Sequence, residues 1–165
     1  MATIEAGKQA PAISLPTMSG GQFSLAESRG RGPVVLAFFK VSCPVCQFAF
    51  PYLERLHQAA RERNVTVVGI SQNSKEDTAA FTRQYGITFP IALDDPRKYP
   101  ASNAYGLTNV PSVFYVGKDG EIEISSVGWS KDDLVQIARK IADQARSGKI
   151  EIIRPGEDVP AFKAG

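Results

Sequence analysis

The only two cysteines of the chain stand three residues apart, in Cys43-Pro44-Val45-Cys46. A close thiol pair can carry out thiol–disulfide exchange, in which a thiolate attacks a disulfide sulfur and a second thiol resolves the product. The run before the pair, Val34-Val35-Leu36-Ala37-Phe38-Phe39, is apolar, β-branched and aromatic, which predicts a buried strand. The run after it, Gln47 to Arg63, keeps helical spacing. A helix opening at the pair places Cys43 at its N-terminus, where unpaired N–H groups and the macrodipole favour a thiolate. Positions i and i+3 share a helix face, so both sulfurs are within reach of one short disulfide. The plain alternative is a pair of buried, inert cysteines, and only their position at a strand-to-helix junction argues against it.

The rest of the composition narrows the chemistry. With 165 residues, 43% hydrophobic and 22% charged, the chain is long enough for one domain with a sizeable core. A net charge of +2, with no basic stripe interleaved with aromatics, speaks against a nucleic-acid partner. No apolar run reaches the length of a membrane span. Met1 to Gly7 lacks the basic and apolar segments of a signal peptide. A cytoplasmic location is expected if Met1 is the native start, and a periplasmic or exported one if a signal peptide has been removed. Two cysteines cannot build a disulfide framework, and with His57 the only histidine, a closed structural zinc site is not expected. Neither a metal nor a cofactor is anticipated.

Positioning the pair falls to the surrounding elements. Strand signals at 12–15 and 22–25, around Ser19-Gly20-Gly21, predict an N-terminal hairpin. The helix from about 44 to 63 carries Phe48, Tyr52, Leu53, Leu56 and Ala60 along one face, with Pro44 in its first turn and Pro51 inside it. A second buried strand is predicted at 65–71, a helix over 75–85 stopped by Gly86, and a short strand at 91–93. Residues 101–105 suggest a helical turn. Strands at 113–116 and 122–127 flank the tight turn Lys118-Asp119-Gly120, and a last helix over 131–147 ends at Gly148. The tail, 148–165, reads either as an extended arm or as a frayed end. This order implies an α/β fold whose mixed sheet is parallel in its first half and carries helices on both faces.

The segment Phe38-Phe39-Lys40-Val41-Ser42-Cys43-Pro44-Val45-Cys46 resembles the active-site segment of the TlpA/ResA-like thiol-disulfide oxidoreductases, in the redoxin (AhpC/TSA-related) group of the thioredoxin fold. Pro51 matches the proline that kinks that group's active-site helix. Tyr85 to Ile91 and Ala104 to Leu107 resemble its central insert, and Val110 to Gly120 resembles its cis-proline segment. The resemblance spans residues 5–147. It implies a thioredoxin-like mixed central sheet flanked by helices, with an N-terminal β-hairpin extension, as one domain over 1–147 followed by a tail over 148–165. It also implies Cys43 as nucleophile and Cys46 as the more buried resolving thiol. A cis Val110–Pro111 bond would set the Val110 backbone opposite Cys43, offering N–H and C=O to a substrate strand. Val110, Pro111 and Pro44 are therefore the candidate substrate-binding residues, and Lys40 is a candidate cation for the Cys43 thiolate. Protein or small-molecule disulfides are the expected substrates, with an upstream dithiol reductant as partner.

Departures from the family pattern matter as much. Ser42 and Phe39 stand where tryptophan is usual, and Ala37 replaces the buried acid that thioredoxins place six residues before the first cysteine. Proton transfer at Cys46 therefore needs another route. Two competing functions share the fold. A peroxiredoxin-like peroxidase would need a hydroxyl three residues before its reactive cysteine, where this chain has Lys40. A copper(I) metallochaperone would need a histidine after the central strand, and residues 108–147 contain none. Trp129 is a candidate groove residue, whereas His57 reads as a boundary residue.

Overall fold

The computed structural model describes residues 2–165; Met1 lies outside them. Its elements run β1 (Ser14–Pro16), β2 (Gln22–Ser24), α1 (Leu25–Arg29), β3 (Val34–Phe39), α2 (Pro44–Ala60), β4 (Thr66–Ser71) and α3 (Lys75–Tyr85). They continue with β5 (Ile91–Leu93), α4 (Pro100–Ala104), β6 (Ser112–Val116), β7 (Ile122–Val127), β8 (Trp129–Ser130), α5 (Lys131–Gln144) and β9 (Phe162–Lys163).

The central sheet has the order β5-β4-β3-β6-β7. β3, β4 and β5 are parallel, β6 returns antiparallel beside β3, and β7 completes a hairpin with β6. Every residue of β3 is buried, as expected for a central strand covered on both faces. On one face Val35, Ala37 and Phe39 pack against α2, α3 and α5 through Phe50, Phe81 and Ile137. On the other, Val34, Leu36 and Phe38 pack against the β1–β2 hairpin and α4 through Leu15, Phe23 and Ala101, with Tyr105 just after α4. The fold is thus the expected mixed sheet with helices on both faces and an N-terminal hairpin.

Local signals explain most helix boundaries. Ser74 caps α3 by accepting the Asp77 amide, and Gly86 ends it in the left-handed region at φ 65°. Ser130 caps α5 in the same way through Asp133. Some expectations need correction. The second N-terminal strand stops at Ser24, because Ser24 accepts the Glu27 amide and starts the short helix α1. α2 ends at Ala60 rather than Arg63, with Asn64 turning the chain at φ 57°. α5 ends at Gln144, not Ser147: Arg146 adopts φ 52° and Ser147 N–H bonds back to Ala142, so Gly148 is not the stop. The helical turn after β5 begins at Pro100, one residue earlier than read.

The tail does not fray. Ile152 and Val159 are buried against the α2–α5 face. Arg55 on α2 donates to the Ile152 carbonyl and grips Glu157 with both guanidinium nitrogens, at 2.7 and 2.8 Å. That fork holds the Glu157 carboxyl down to about 2, with help from the Arg154 amide. Trp129 Nε1 donates to Pro160 O at 2.7 Å, and β9 pairs antiparallel with β8.

Candidate active site

Parallel pairing brings the ends of β3 and β4 to one edge of the sheet, so Lys40–Cys43 and Gln72–Asn73 emerge side by side. Because β6 runs antiparallel, with Phe38 opposite Ser112, its entry loop Asn109–Pro111 reaches the same edge. The exit of β7 arrives there too, since Val127 pairs with Ser112 and Gly128 N–H donates to Pro111 O. Four loops therefore converge where the cysteines lie, the usual place for a site in an α/β sheet.

Cys43 is the N-cap residue of α2, and its Sγ accepts the Cys46 amide at 3.1 Å. The helix start thus aims a backbone donor at that sulfur. Pro44 occupies the first turn, where its missing N–H costs nothing, and the helix continues through Pro51 to Ala60. Cys43 is half-buried, while Cys46 is fully buried among the α2 core residues, and both thiols are free. Burial pushes the Cys46 thiol far above the ordinary range, and its hydrogen bond with Cys43 pushes the same way; a backbone hydrogen bond from Lys40 opposes them.

The opposite wall is the cis Val110–Pro111 segment. The Cys43 thiol donates to Val110 O at 3.4 Å, so the Val110 backbone faces the sulfur, as the resemblance implied. Pro111 is buried beneath, and Pro44 is exposed beside Cys43. Lys40 has an exposed side chain, while its carbonyl accepts the Cys43 amide at 3.3 Å. Around Cys43 opens a groove of about 480 Å³, whose walls include Lys40, Pro44, Gln72, Tyr99, Asn103 and Asn109.

Ala37 is fully buried on the same face as Cys46, and among the described residues no carboxylate hydrogen-bonds either cysteine. Trp129 is buried rather than lining the groove; its ring packs edge-on to Phe48, 5.0 Å between centroids, and close to Tyr52. His57 is half-buried on α2, as a boundary residue, with its ring 5.9 Å from that of Phe89. Among the described residues, no three His, Cys, Asp or Glu side chains gather as a metal-holding group. No helix there is long and apolar enough to cross a membrane.

Sequence reasoning missed the residues that hold the loop in place. Asn73 Oδ1 accepts the Val41 amide and Gln47 Nε2 donates to the Val41 carbonyl, both at 2.9 Å. It also missed Gln72, Tyr99, Asn103 and Asn109 as groove walls. The available signal was topological: polar residues directly after a parallel strand lie at its carboxyl end, beside the site.

This arrangement coincides with a family match: the model of the AhpC/TSA family fits residues 6–125. The chain belongs to that family. Within its reach lies the thiol-disulfide oxidoreductase ResA of Halalkalibacterium halodurans, 30% identical over 132 residues, covering 79% of this chain and 73% of the relative. A thiol:disulfide interchange protein of the thioredoxin family from Chlorobium tepidum has a solved structure with TM-score 0.68 and 26% identity, covering 86% of this chain and 99% of that one. The thioredoxin domain of a thiol-disulfide oxidoreductase from Bacteroides vulgatus shares the fold, with TM-score 0.75 and 23% identity over 84% of this chain and 98% of that one.

Proposed function

We propose that the chain is a thiol-disulfide oxidoreductase whose working couple is Cys43 and Cys46. The observation that carries this is the asymmetric pair at the start of α2: one sulfur half-exposed and fed by a helix amide, the other buried one turn inward.

Cys43, as thiolate, attacks one sulfur of a substrate disulfide in line with the S–S bond. That bond breaks, one substrate sulfur leaves as thiolate and takes up a proton, and a mixed disulfide forms at Cys43. Cys46 then loses its proton and attacks Cys43 Sγ. The second substrate thiol leaves, and the pair ends as a Cys43–Cys46 disulfide. Two electrons pass from the pair to the substrate, and an upstream dithiol returns the pair to its reduced state. The Val110 backbone, above the buried Pro111, orients the incoming chain, and Pro44 bounds the approach to Cys43. Lys40 supplies the cation on the groove wall. Disulfides of proteins or small molecules are the substrates.

Replacing Cys46 with serine should trap substrate on Cys43 as a stable mixed disulfide, seen as a mass increase that a reductant removes. Trapping by Cys43→Ser and not by Cys46→Ser would overturn the assignment. Hydrogen peroxide consumption by the reduced protein, run in parallel, should be slow beside disulfide reduction, since no side-chain hydroxyl among the described residues hydrogen-bonds Cys43.

A further inference from the structure

The last residues of the chain lie against the site. Beyond the buried Val159, β9 runs antiparallel along β8, with Trp129 opposite Lys163 and Ser130 opposite Phe162, and Lys131 N–H donates to Ala161 O at 2.9 Å. Lys163 Nζ sits 5.1 Å from the centre of the Phe48 ring, on the helix that carries both cysteines. Asn109 Nδ2 donates to Gly165 O at 3.0 Å, and Gly165 is itself part of the wall of the Cys43 groove. The fit is tight on both sides. A Cβ on Gly128 would stand 2.5 Å from Lys163 O, and one on Gly165 would run into Val110 O. Glycine at 128, at φ 76°, is what lets the tail backbone pass this closely.

Val110 faces Cys43 with its carbonyl, so an extended chain bound there leaves the sulfur in two directions. One leads over Gly128 along β8 to Ser130; the other leads into the groove between Lys40, Gln72 and Asn109. Residues 161–165 already fill the first, with Phe162–Lys163 pairing with β8 as the second strand of a separate two-stranded sheet, much as a bound peptide strand would. The second stays open, hydrogen-bonding in character, and its volume of about 480 Å³ falls in the range of small-molecule sites, roughly 300–1,000 Å³.

Resting on the oxidoreductase reading above, we propose that residues 161–165 form a built-in strap that takes the place of a substrate strand and restricts Cys43 to small hydrophilic disulfides. An extended protein disulfide has to displace the strap first. The strap is held by two strand residues, one amide and one cation–π contact, while its anchors lie upstream, in Val159, Ile152 and the Arg55–Glu157 fork. Deleting 161–165 therefore removes the strap and leaves the anchors.

The test compares the full chain with the 1–160 deletion and with Lys163→Pro, which removes an N–H from the strap without shortening it. Reduction of insulin serves as the protein-disulfide probe and reduction of bis(2-hydroxyethyl) disulfide as the small one. Both changes should raise kcat/KM for insulin about tenfold or more and alter that for the small disulfide less than twofold. Equal changes for both probes, or no change for insulin, overturn the proposal. A separate readout needs no turnover: in a Cys46→Ser background, Cys43 alkylation by a maleimide carried on a folded protein should accelerate on deletion, while alkylation by iodoacetamide stays within twofold. If neither disulfide is reduced by any form, the oxidoreductase reading fails, and the alkylation ratio still decides the strap: an unchanged ratio refutes it.

Discussion

If Cys46 resolves the mixed disulfide as proposed, its buried thiol should make the second half of the exchange reaction pH-limited. The perturbation is pH itself, applied to the mixed disulfide at Cys43. Burial is the largest cause of the raised Cys46 pKa, and burial persists when Cys43 is tied to substrate, although its thiol hydrogen bond is lost. Below that pKa the reactive thiolate fraction grows about tenfold per pH unit, so the resolution rate should rise about a hundredfold between pH 7 and pH 9 without levelling. The same shift appears in stability. The folded pKa lies above the unfolded value of 9.0, so the folded protein holds a proton that the unfolded chain releases. The stability this represents is fully present below pH 9 and is lost as pH rises. At pH 10.5 the loss is about 2 kcal/mol, at 1.36 kcal/mol per unit. Tyr105 and Tyr115, also raised by burial, add to the alkaline loss in the whole protein. They cancel in the difference between the reduced wild type and Cys46→Ala. The assays are single-turnover release of the second thiol at a series of pH values, and urea unfolding followed by the fluorescence of the single tryptophan. A rate plateau below pH 8, or a wild-type-minus-Cys46→Ala stability difference that does not change between pH 8 and 10.5, would refute the reasoning and reveal a proton acceptor at Cys46.

Three further outcomes follow from named contacts. Ala37→Asp, which puts a carboxyl on the Cys46 side of the buried strand β3, should flatten the pH dependence of resolution while costing about 2 kcal/mol in urea unfolding, because the new group lacks a partner. Glu157 has a folded pKa of about 2 against an ordinary 4.5, so its contribution is present above pH 4.5 and is lost as pH falls toward 2. Tail release should therefore change tryptophan fluorescence in that window, through the Trp129–Pro160 hydrogen bond, and Glu157→Gln should lose the acid transition. Leu56→Ala, at a fully buried position in α2, should destabilise the protein by about 3 kcal/mol in urea unfolding, with disulfide-exchange activity retained below the transition.

How much of this was legible in the residues follows from range. Cys43-Pro44-Val45-Cys46 announced its own geometry, because capping a helix takes contacts only three residues away. Gly86 stopped α3 where read, since a left-handed residue is a local requirement. Helix α1 and the early ends of α2 and α5 escaped because they depend on single residues, Ser24, Asn64 and Arg146, whose turns compete with otherwise helical patterns.

Local sequence by itself determined the thiol pair, the strand that delivers it and the helix that opens at it. Each rests on periodicity or capping within a few residues, whereas the Val110–Pro111 segment that faces Cys43 was expected only from the family resemblance. Only the tertiary structure decided what surrounds Cys43. Asn73 holds the loop from 32 residues away, Asn109 and Val110 close the groove across the sheet, and Gly165 lies against them from the far end of the chain. The two-residue strand β9 carries no periodicity to recognise. It is placed by long-range anchors, the Arg55–Glu157 fork and the buried Val159, whose partners become neighbours only when the sheet has assembled.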